Sequence, residues 1–428
     1  MRETTSSNIP WVGEIPTSWK TEQGKHFMTC LDRPVKEDDG VITCFRDGEV
    51  TLRSKRREEG FTISFQEFGY QGIEPGDLVV HGMDGFAGAI GISDSRGKAT
   101  PVLTVLDTNQ DKRYMMYALR NMAYTNVFLA LSTGIRVRSC DTSWKKIKEL
   151  RYALPPLNEQ KQIADQIEIK CSQVNSLIAN QEAQIEKLKQ YKQSLITEVV
   201  TKGLDPDAPM KDSGVWWIGE INSKFNLKKI KYFINDYKAG PFGSALITGN
   251  LLSEGNILVY TPEHIANQST ENSKNLYLPE SRRFEMEQFF VSEGNIIFPI
   301  VGSLGRAMYI SSNMPVGIIN QRLAKFRIDE SVVDKDYFLY VFAKSNFYKT
   351  FLEVNSRGAI IVNLTKEIVY NMPFVVPSIE EQRSIVRHLD RTCACIDSLI
   401  SIKLQKVEQL KEYKKTIIYE YVTGKKEV

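Results

Sequence analysis

No run of about 18 apolar residues occurs in the 428-residue chain, which excludes a membrane-spanning helix. The opening residues, Met1-Arg2-Glu3-Thr4-Thr5-Ser6-Ser7-Asn8, lack the apolar stretch of a signal peptide. Six cysteines (Cys30, Cys44, Cys140, Cys171, Cys393, Cys395) show no metal-ligand spacing. Without an export signal their thiols are expected to be reduced and the protein cytoplasmic. Only four histidines occur, His26, His81, His264 and His388, too scattered to suggest a metal site or a nucleophile–base pair. Nor is there a large excess of positive charge: 55 Lys and Arg against 52 Asp and Glu leave +3. Binding to a polyanion would therefore need local clusters, or a partner supplying the rest of the field. Cofactor loops are missing as well. Gly85-Phe86-Ala87-Gly88-Ala89-Ile90-Gly91 is glycine-rich but lacks the strand–turn–helix frame and distal acid of a dinucleotide site, and no phosphate-cradling loop ends in Gly-Lys-Ser/Thr. Asn371-Met372-Pro373-Phe374 imitates the polar-Pro-Pro-aromatic motif of an amine methyltransferase imperfectly, and reads better as a strand running into a helix junction.

What is present is a repeat. Trp11-Val12-Gly13-Glu14-Ile15 recurs as Trp217-Ile218-Gly219-Glu220-Ile221. Pro155, Leu157, Glu159, Gln160 and Ile163 recur as Pro377, Ile379, Glu381, Gln382 and Ile385. Tyr191-Lys192 and Val200-Thr201 return as Tyr413-Lys414 and Val422-Thr423. The later pairs all share one offset, larger than that of the opening pair, so the block between them is longer in the second copy. The frame is thus duplicated around unlike middles, which suggests a symmetric scaffold carrying two different recognition surfaces. Within each middle, turn residues punctuate short apolar runs, as in Gly76-Asp77-Leu78-Val79-Val80, Pro101–Leu106, Gly294–Phe298 and Ala307–Ile310, the pattern of mixed α/β domains.

The segments after the two middles read as long helices. Glycine and proline are absent from Glu159 to Thr201. Steps of four and three residues give Ile167, Cys171, Val174, Ile178, Gln181, Ile185, Leu188, Lys192, Leu195 and Val199. The second copy gives Leu389, Cys393, Ile396, Ile400, Lys403, Val407, Leu410, Lys414, Ile417 and Tyr421, with polar breaks at the same places. Such a stripe is the seam of a coiled coil, and each helix is the obvious partner of the other. A helix of about 40 residues extends about 60 Å, longer than a small domain is wide. Pseudo-twofold symmetry implies an antiparallel pair, a rod with one domain near each end. Gly203 closes the first helix, and Asp205-Pro206-Asp207-Ala208-Pro209 makes an exposed connector. The expected class is α/β (α+β), two mixed domains separated by two long helices in an antiparallel coiled coil. Expected boundaries are 1–155 and 216–377 for the domains, 156–203 and 378–428 for the helices, and 204–215 for the linker.

In these residues the chain resembles the specificity subunits of type I restriction–modification systems. The resemblance rests on Leu154-Pro155-Pro156-Leu157-Asn158-Glu159-Gln160 and Val376-Pro377-Ser378-Ile379-Glu380-Glu381-Gln382 before the helices. It rests also on Thr201-Lys202-Gly203-Leu204-Asp205-Pro206, Met210-Lys211-Asp212-Ser213-Gly214 and Gly240-Pro241-Phe242-Gly243-Ser244. Pro377-Ser378 departs from the family's usual double proline. The resemblance implies two target recognition domains, each reading one half of a split sequence in double-stranded DNA. It implies helices that set the spacing and dock two methylation subunits, which carry S-adenosylmethionine, with restriction subunits added to that core. By the same resemblance the chain has no catalytic activity of its own. Readers on one face of a duplex want centres roughly 34 Å apart, within the reach of such a rod. Two readings from other classes remain at this point, a coiled-coil scaffold that does not read DNA and an enzyme with its own methyltransferase activity.

Phosphate contacts position a protein on DNA and base-edge contacts specify sequence. In the first domain, Arg53, Lys55, Arg56 and Arg57 either follow a phosphate backbone or form a solvated turn. His81, Met83 and Asp84 lie in a glycine-flanked loop that either approaches a base edge or is a tight turn whose Asp caps a neighbour. In the second domain, Lys238, Gly240, Phe242 and Ser244 combine charge, free backbone N–H groups and an aromatic wedge, or form a turn with Phe242 in the core. Gly302, Ser303, Arg306, Gln321 and Arg322 are further candidates, because Arg bonds guanine bidentately and Gln bonds adenine. Gln321 and Arg322 would serve equally as hydrogen-bonding residues of a sheet. Arg136 and Arg357, near Gly134 and Gly358, precede the two domain exits as a symmetric backbone clamp.

Overall fold

A computed structural model describes residues 2–56, 68–130, 142–242, 246, 248–271, 273–302, 305–347, 350–351, 354 and 364–428. The chain divides into two compact units, Met1–Glu182 with Leu404–Val428, and Ala183–Lys403. Each unit therefore joins one globular domain to a stretch of both long helices.

The first unit opens with a hairpin of β1 (Thr4–Ser6) and β2 (Glu14–Pro16), whose turn uses Asn8 and Gly13 at positive φ. A four-stranded antiparallel sheet comes next, in the order β4 (Met28–Cys30), β11 (Leu103–Thr108), β8 (Leu78–His81), β9 (Ile90–Ile92). Its faces are both covered. Leu78, Val80 and Leu106 point into the core shared with the Lys112–Tyr124 helix and the long-helix segments. Val79, Leu103 and Val105 point into a smaller core. That core is completed by the hairpin β5 (Ile42–Cys44) and β6 (Val50–Leu52) and the pair β7 (Gln71–Ile73) and β10 (Gly97–Ala99). Finally β3 (Lys20–Gln23) pairs with β12 (Arg151–Leu154), bringing the start and end of the domain side by side.

The second unit repeats this plan. Its hairpin of β13 (Met210–Asp212) and β14 (Glu220–Asn222) turns through Gly214 and Gly219 at positive φ. Strand β15 (Asn226–Lys229) pairs with β23 (Pro373–Val376) as β3 does with β12. The four-stranded sheet runs β16 (Ile234–Ala239), β22 (Leu323–Ile328), β19 (Asn295–Pro299), β20 (Met308–Tyr309). Ile296, Phe298, Ala324 and Phe326 face the larger core, and Ile297 and Leu323 face a second one. The latter is closed by β17 (Leu258–Tyr260), β21 (Gly317–Ile319) and β18 (Phe290–Val291), where β17 runs parallel to β21.

The long helices span Leu157–Lys202 and Ile379–Val422. Each starts directly after its proline signal, the second with the Ser378 hydroxyl accepting the Glu381 N–H at 3.3 Å. Ile167, Val174, Ile185, Leu389, Ile396, Val407, Leu410 and Ile417 are buried, and Ile178, Leu188, Leu195 and Ile400 are half-buried. Within the second unit Gln184 meets Lys403, and Lys192 meets Asp397 at 2.6 Å, so the helices run antiparallel there. Within the first unit Lys414 donates to Asn175 at 3.0 Å. Lys192–Asp397 and Lys414–Asn175 are the same pair in the two copies, because Lys414 repeats Lys192 and Asp397 repeats Asn175. The polar breaks Lys192, Lys403 and Lys414 are thus cross-helix contacts, which fix register at little cost in burial.

A duplicated polar junction anchors each domain to the helices. Gln160 is fully buried. Its amide donates to Pro155 O and Gln110 Oε1, both at 2.8 Å, and accepts from the Asp111 N–H at 2.9 Å. Gln382 does the same with Pro377 O at 2.9 Å, Val332 O at 3.0 Å and the Asp334 N–H at 2.7 Å. Asp111 and Asp334 each cap a helix, accepting from Tyr114 N and Tyr337 N among others. The buried hydroxyls of those tyrosines donate onward to Ala153 O at 2.8 Å and Val375 O at 3.0 Å. They also face Val422 O and Val200 O, at the far ends of the long helices, at 3.4 and 3.3 Å. Burial pushes both tyrosine hydroxyls up in pKa, so they stay protonated donors.

Candidate nucleic-acid interface

In each unit, one end of the four-stranded sheet gathers loops that are separate in the sequence. In the second unit, Gly240 follows β16 and its N–H donates to Leu323 O at 2.8 Å. A Cβ on Gly240 would lie 1.9 Å from Asn320 O, so only glycine fits against the 320–322 turn. Arg322 N–H donates to Asn320 Oδ1 at 3.0 Å, and Arg322 O accepts from Ile300 N at 2.8 Å. The chain leading to Gly302 therefore lies beside that turn. Gly302 has φ +85 with open space around it. Phe242 is 87% exposed, not a core residue, and Gln321 and Arg322 are exposed rather than buried in the sheet. A close-packed glycine turn, an exposed aromatic ring and an exposed guanidinium thus share one rim.

The first unit presents the same rim in different chemistry. Leu103 pairs with His81 as Leu323 pairs with Pro299, so the His81–Asp84 loop occupies the position of the 299–302 loop. Gly82 N–H donates to Val102 O at 2.7 Å. His81 Nδ1 accepts from Met83 N at 3.2 Å and Asp84 N at 3.1 Å. Burial holds this imidazole below the ordinary histidine pKa, with Asp84 opposing and Arg46 assisting, so it is the neutral acceptor those two N–H groups need. Asp84 pairs with Arg46 at 2.8 Å, and Met83 is left exposed at the tip. The loop is a tight turn and a protruding one together.

The remaining candidates lie elsewhere. Arg53, Lys55 and Arg56 form a short helix with internal partners. Arg53 donates to Thr43 Oγ1 at 2.9 Å, and Lys55 to Ser95 Oγ at 2.6 Å and Asp94 at 3.3 Å. Arg56 holds Asp47 at 2.6 Å and Glu49 at 2.7 Å and lies 4.0 Å over the Phe45 ring. The dense cation run is therefore tied to its own unit. Arg306 is exposed and lines a cavity of about 370 Å³ with Gln268, Leu339 and Lys344. Lys238 sits on β16 with its ammonium 5.5 Å from the Phe289 ring centre. Arg57, Arg136, Ser244, Ser303 and Arg357 fall outside the described residues. Among the described residues, no group of three or more His, Cys, Asp or Glu is placed to hold a metal, and no helix is long and apolar enough to cross a membrane.

The chain is similar to known proteins in sequence and in fold. Residues 243–409 match the family described as type I restriction modification DNA specificity domain. The type I restriction enzyme MjaVIII specificity subunit of Methanocaldococcus jannaschii is 26% identical over 321 residues, 74% of this chain and 70% of that protein. The EcoBI specificity subunit of Escherichia coli is 25% identical over 375 residues, 83% of this chain and 75% of that protein. A chain solved in work on complex assembly and conformational transition of the type I R-M system shares the fold, with a TM-score of 0.67 at 15% identity. That match covers 95% of this chain and 98% of the other. With the duplicated frame and the antiparallel helices in place, residues 243–409 match the type I restriction modification DNA specificity domain, and most of the chain is similar in sequence to specificity subunits of type I restriction enzymes.

Proposed function

We propose that this chain chooses the DNA sequence on which a type I restriction–modification complex acts, with residues 1–155 and 216–377 as its two recognition domains. The observation that carries this is the pair of equivalent sheet rims with unlike side chains. His81, Met83 and Asp84 stand in one, and Gly240, Phe242, Gly302, Gln321 and Arg322 in the other. Equivalent position with different chemistry is what an asymmetric bipartite target requires, because specificity comes from the groups that reach base edges. The chain itself is a non-catalytic subunit in this reading. Residues 156–203 and 378–428 act as spacer, 204–215 as linker, and two methylation subunits carrying S-adenosylmethionine dock on the helices, with restriction subunits added. Leu177 and Leu399, at equivalent positions of the two helices, stay exposed, as do Tyr191 and Tyr413. Each unit therefore offers one of these two leucines and one of these two tyrosines to such a partner.

A mobility-shift titration of the assembled complex on target and random duplexes, across KCl concentrations, tests the reading. Strong sequence preference over a salt-sensitive background is expected. A protein scaffold that does not read DNA shows neither. The spacer role makes a separate prediction. Seven residues inserted between Glu182 and Ala183 keep the seam in phase but displace the downstream half of the helix by about 10 Å along its axis. The expected result is a changed half-site spacing or loss of the complex. An intact complex methylating the original sequence rules the helices out as the ruler.

A further inference from the structure

Three cations in the second unit have no carboxylate partner among the described residues. Lys238 on edge strand β16 stands directly opposite Lys325 on β22. Arg327 lies two residues along β22, on the same face. Like charges directly opposite each other destabilise a sheet. Lys325 donates to Phe290 O, Arg327 to Ser292 Oγ at 2.7 Å, and Lys238 rests over the Phe289 ring. The three head groups thus collect along the 289–292 segment, half-buried and still reachable from the sheet edge. Burial, with Arg327 and Lys238 beside it, holds Lys325 below the ordinary lysine pKa, and Asp236 is the single acid opposing this. A fold that keeps such a cluster is poised for an anion with several oxygens.

We propose that Lys238, Lys325 and Arg327 seat one phosphate group of the DNA backbone, and that they position the second recognition domain on its half-site. The equivalent strand of the first domain carries no such cations. In the register that aligns Leu323 with Leu103, Lys325 corresponds to Val105 and Arg327 to Asp107. Val105 is fully buried, and Asp107 pairs with Lys112 at 2.8 Å. The two domains therefore grip their half-sites differently, the second through a built phosphate seat below its rim. This rests on the DNA-reading function proposed above.

The test uses the full chain in its complex and fluorescence anisotropy on a random-sequence duplex from about 50 to about 200 mM KCl. Lys325→Met and, separately, Arg327→Gln are expected to lower the slope of log affinity against log salt by about one. They are expected to weaken target and non-target DNA alike. Lys325→Arg is expected to keep the slope. In the absence of DNA, Lys325→Met is expected to melt no lower than the parent, because it relieves the opposed charges; a merely structural lysine would lose melting temperature and leave the slope alone. Unchanged slopes in both variants, with DNA binding intact, overturn the seat while leaving the DNA-reading function standing. If sodium phosphate raises the melting temperature of the parent and not of Lys325→Met while the slopes stay fixed, the seat takes free phosphate, and the DNA assignment is overturned. A parent complex that binds no DNA overturns both readings together.

Discussion

Replacing residues 16–154 with the corresponding block of another specificity subunit is expected to change one half of the methylated sequence completely and leave the other half as it was. The structure makes the exchange feasible. Pro16 ends β2, and Leu154 ends β12 opposite Lys20 on β3, so the block leaves the frame through neighbouring strands. The hairpin, the buried Gln160 and the long helices remain behind, and these are the parts duplicated in the second unit. The whole four-stranded sheet leaves, and with it the His81–Asp84 rim. Mapping methylated bases in DNA from cells that make the chimera with its partners reads the outcome directly. An unaltered sequence, or change in both halves, would show that recognition is not divided between the two domains.

The second large effect is expected at the polar junction. Gln382→Leu removes partners from Pro377 O, Val332 O and the Asp334 N–H in one step. Each buried polar group left unpaired costs about 1–3 kcal/mol, so a loss on the order of 3 kcal/mol or more is expected in the second unit. Gln160→Leu should do the same to the first. Hydrogen exchange locates the damage. Gln382→Leu should speed exchange around the 335–344 helical segment and the start of the second long helix, and Gln160→Leu around Lys112–Tyr124. A leucine variant with unchanged exchange would mean that water, or relaxation of the junction, replaces the amide.

The long helices were legible in the sequence because nothing competes with their signal. Forty-odd residues without Gly or Pro, with apolar side chains at steps of four and three, fit no other element. The sheets were not, for a reason visible in Leu78-Val79-Val80 and Ile296-Ile297-Phe298. These strands are buried on both faces, so the alternation that marks a half-buried strand is absent. The tyrosines of the junction were hidden for another reason. Tyr114 and Tyr337 lie inside the dissimilar blocks, one position out of step with the repeat of the frame around them. Charge misled in both directions. Arg53–Arg57 is dense in sequence, yet the members that the structure describes are tied to their own unit. Lys238 is far in sequence from Lys325 and Arg327 and meets them only through strand register. The rim residues are legible one loop at a time, and their meeting at one end of each sheet comes from pairings such as Leu323 with Pro299 that no local pattern announces.

The first compact unit is discontinuous, and this bears on the order in which the protein matures on the ribosome. Its globular domain is translated early, but the helix stretch that covers Ile167, Cys171 and Val174 comes from residues after Leu404. At about 5–20 residues per second, the gap from Glu182 to Leu404 lasts roughly ten to forty-five seconds. Throughout that interval the early helix carries a bare apolar stripe. The second unit, contiguous from Ala183 to Lys403, has all its pieces first although its domain is made later. The nascent chain therefore ripens from its middle outward, and its oldest part waits longest for a chaperone or for its own last turns of helix.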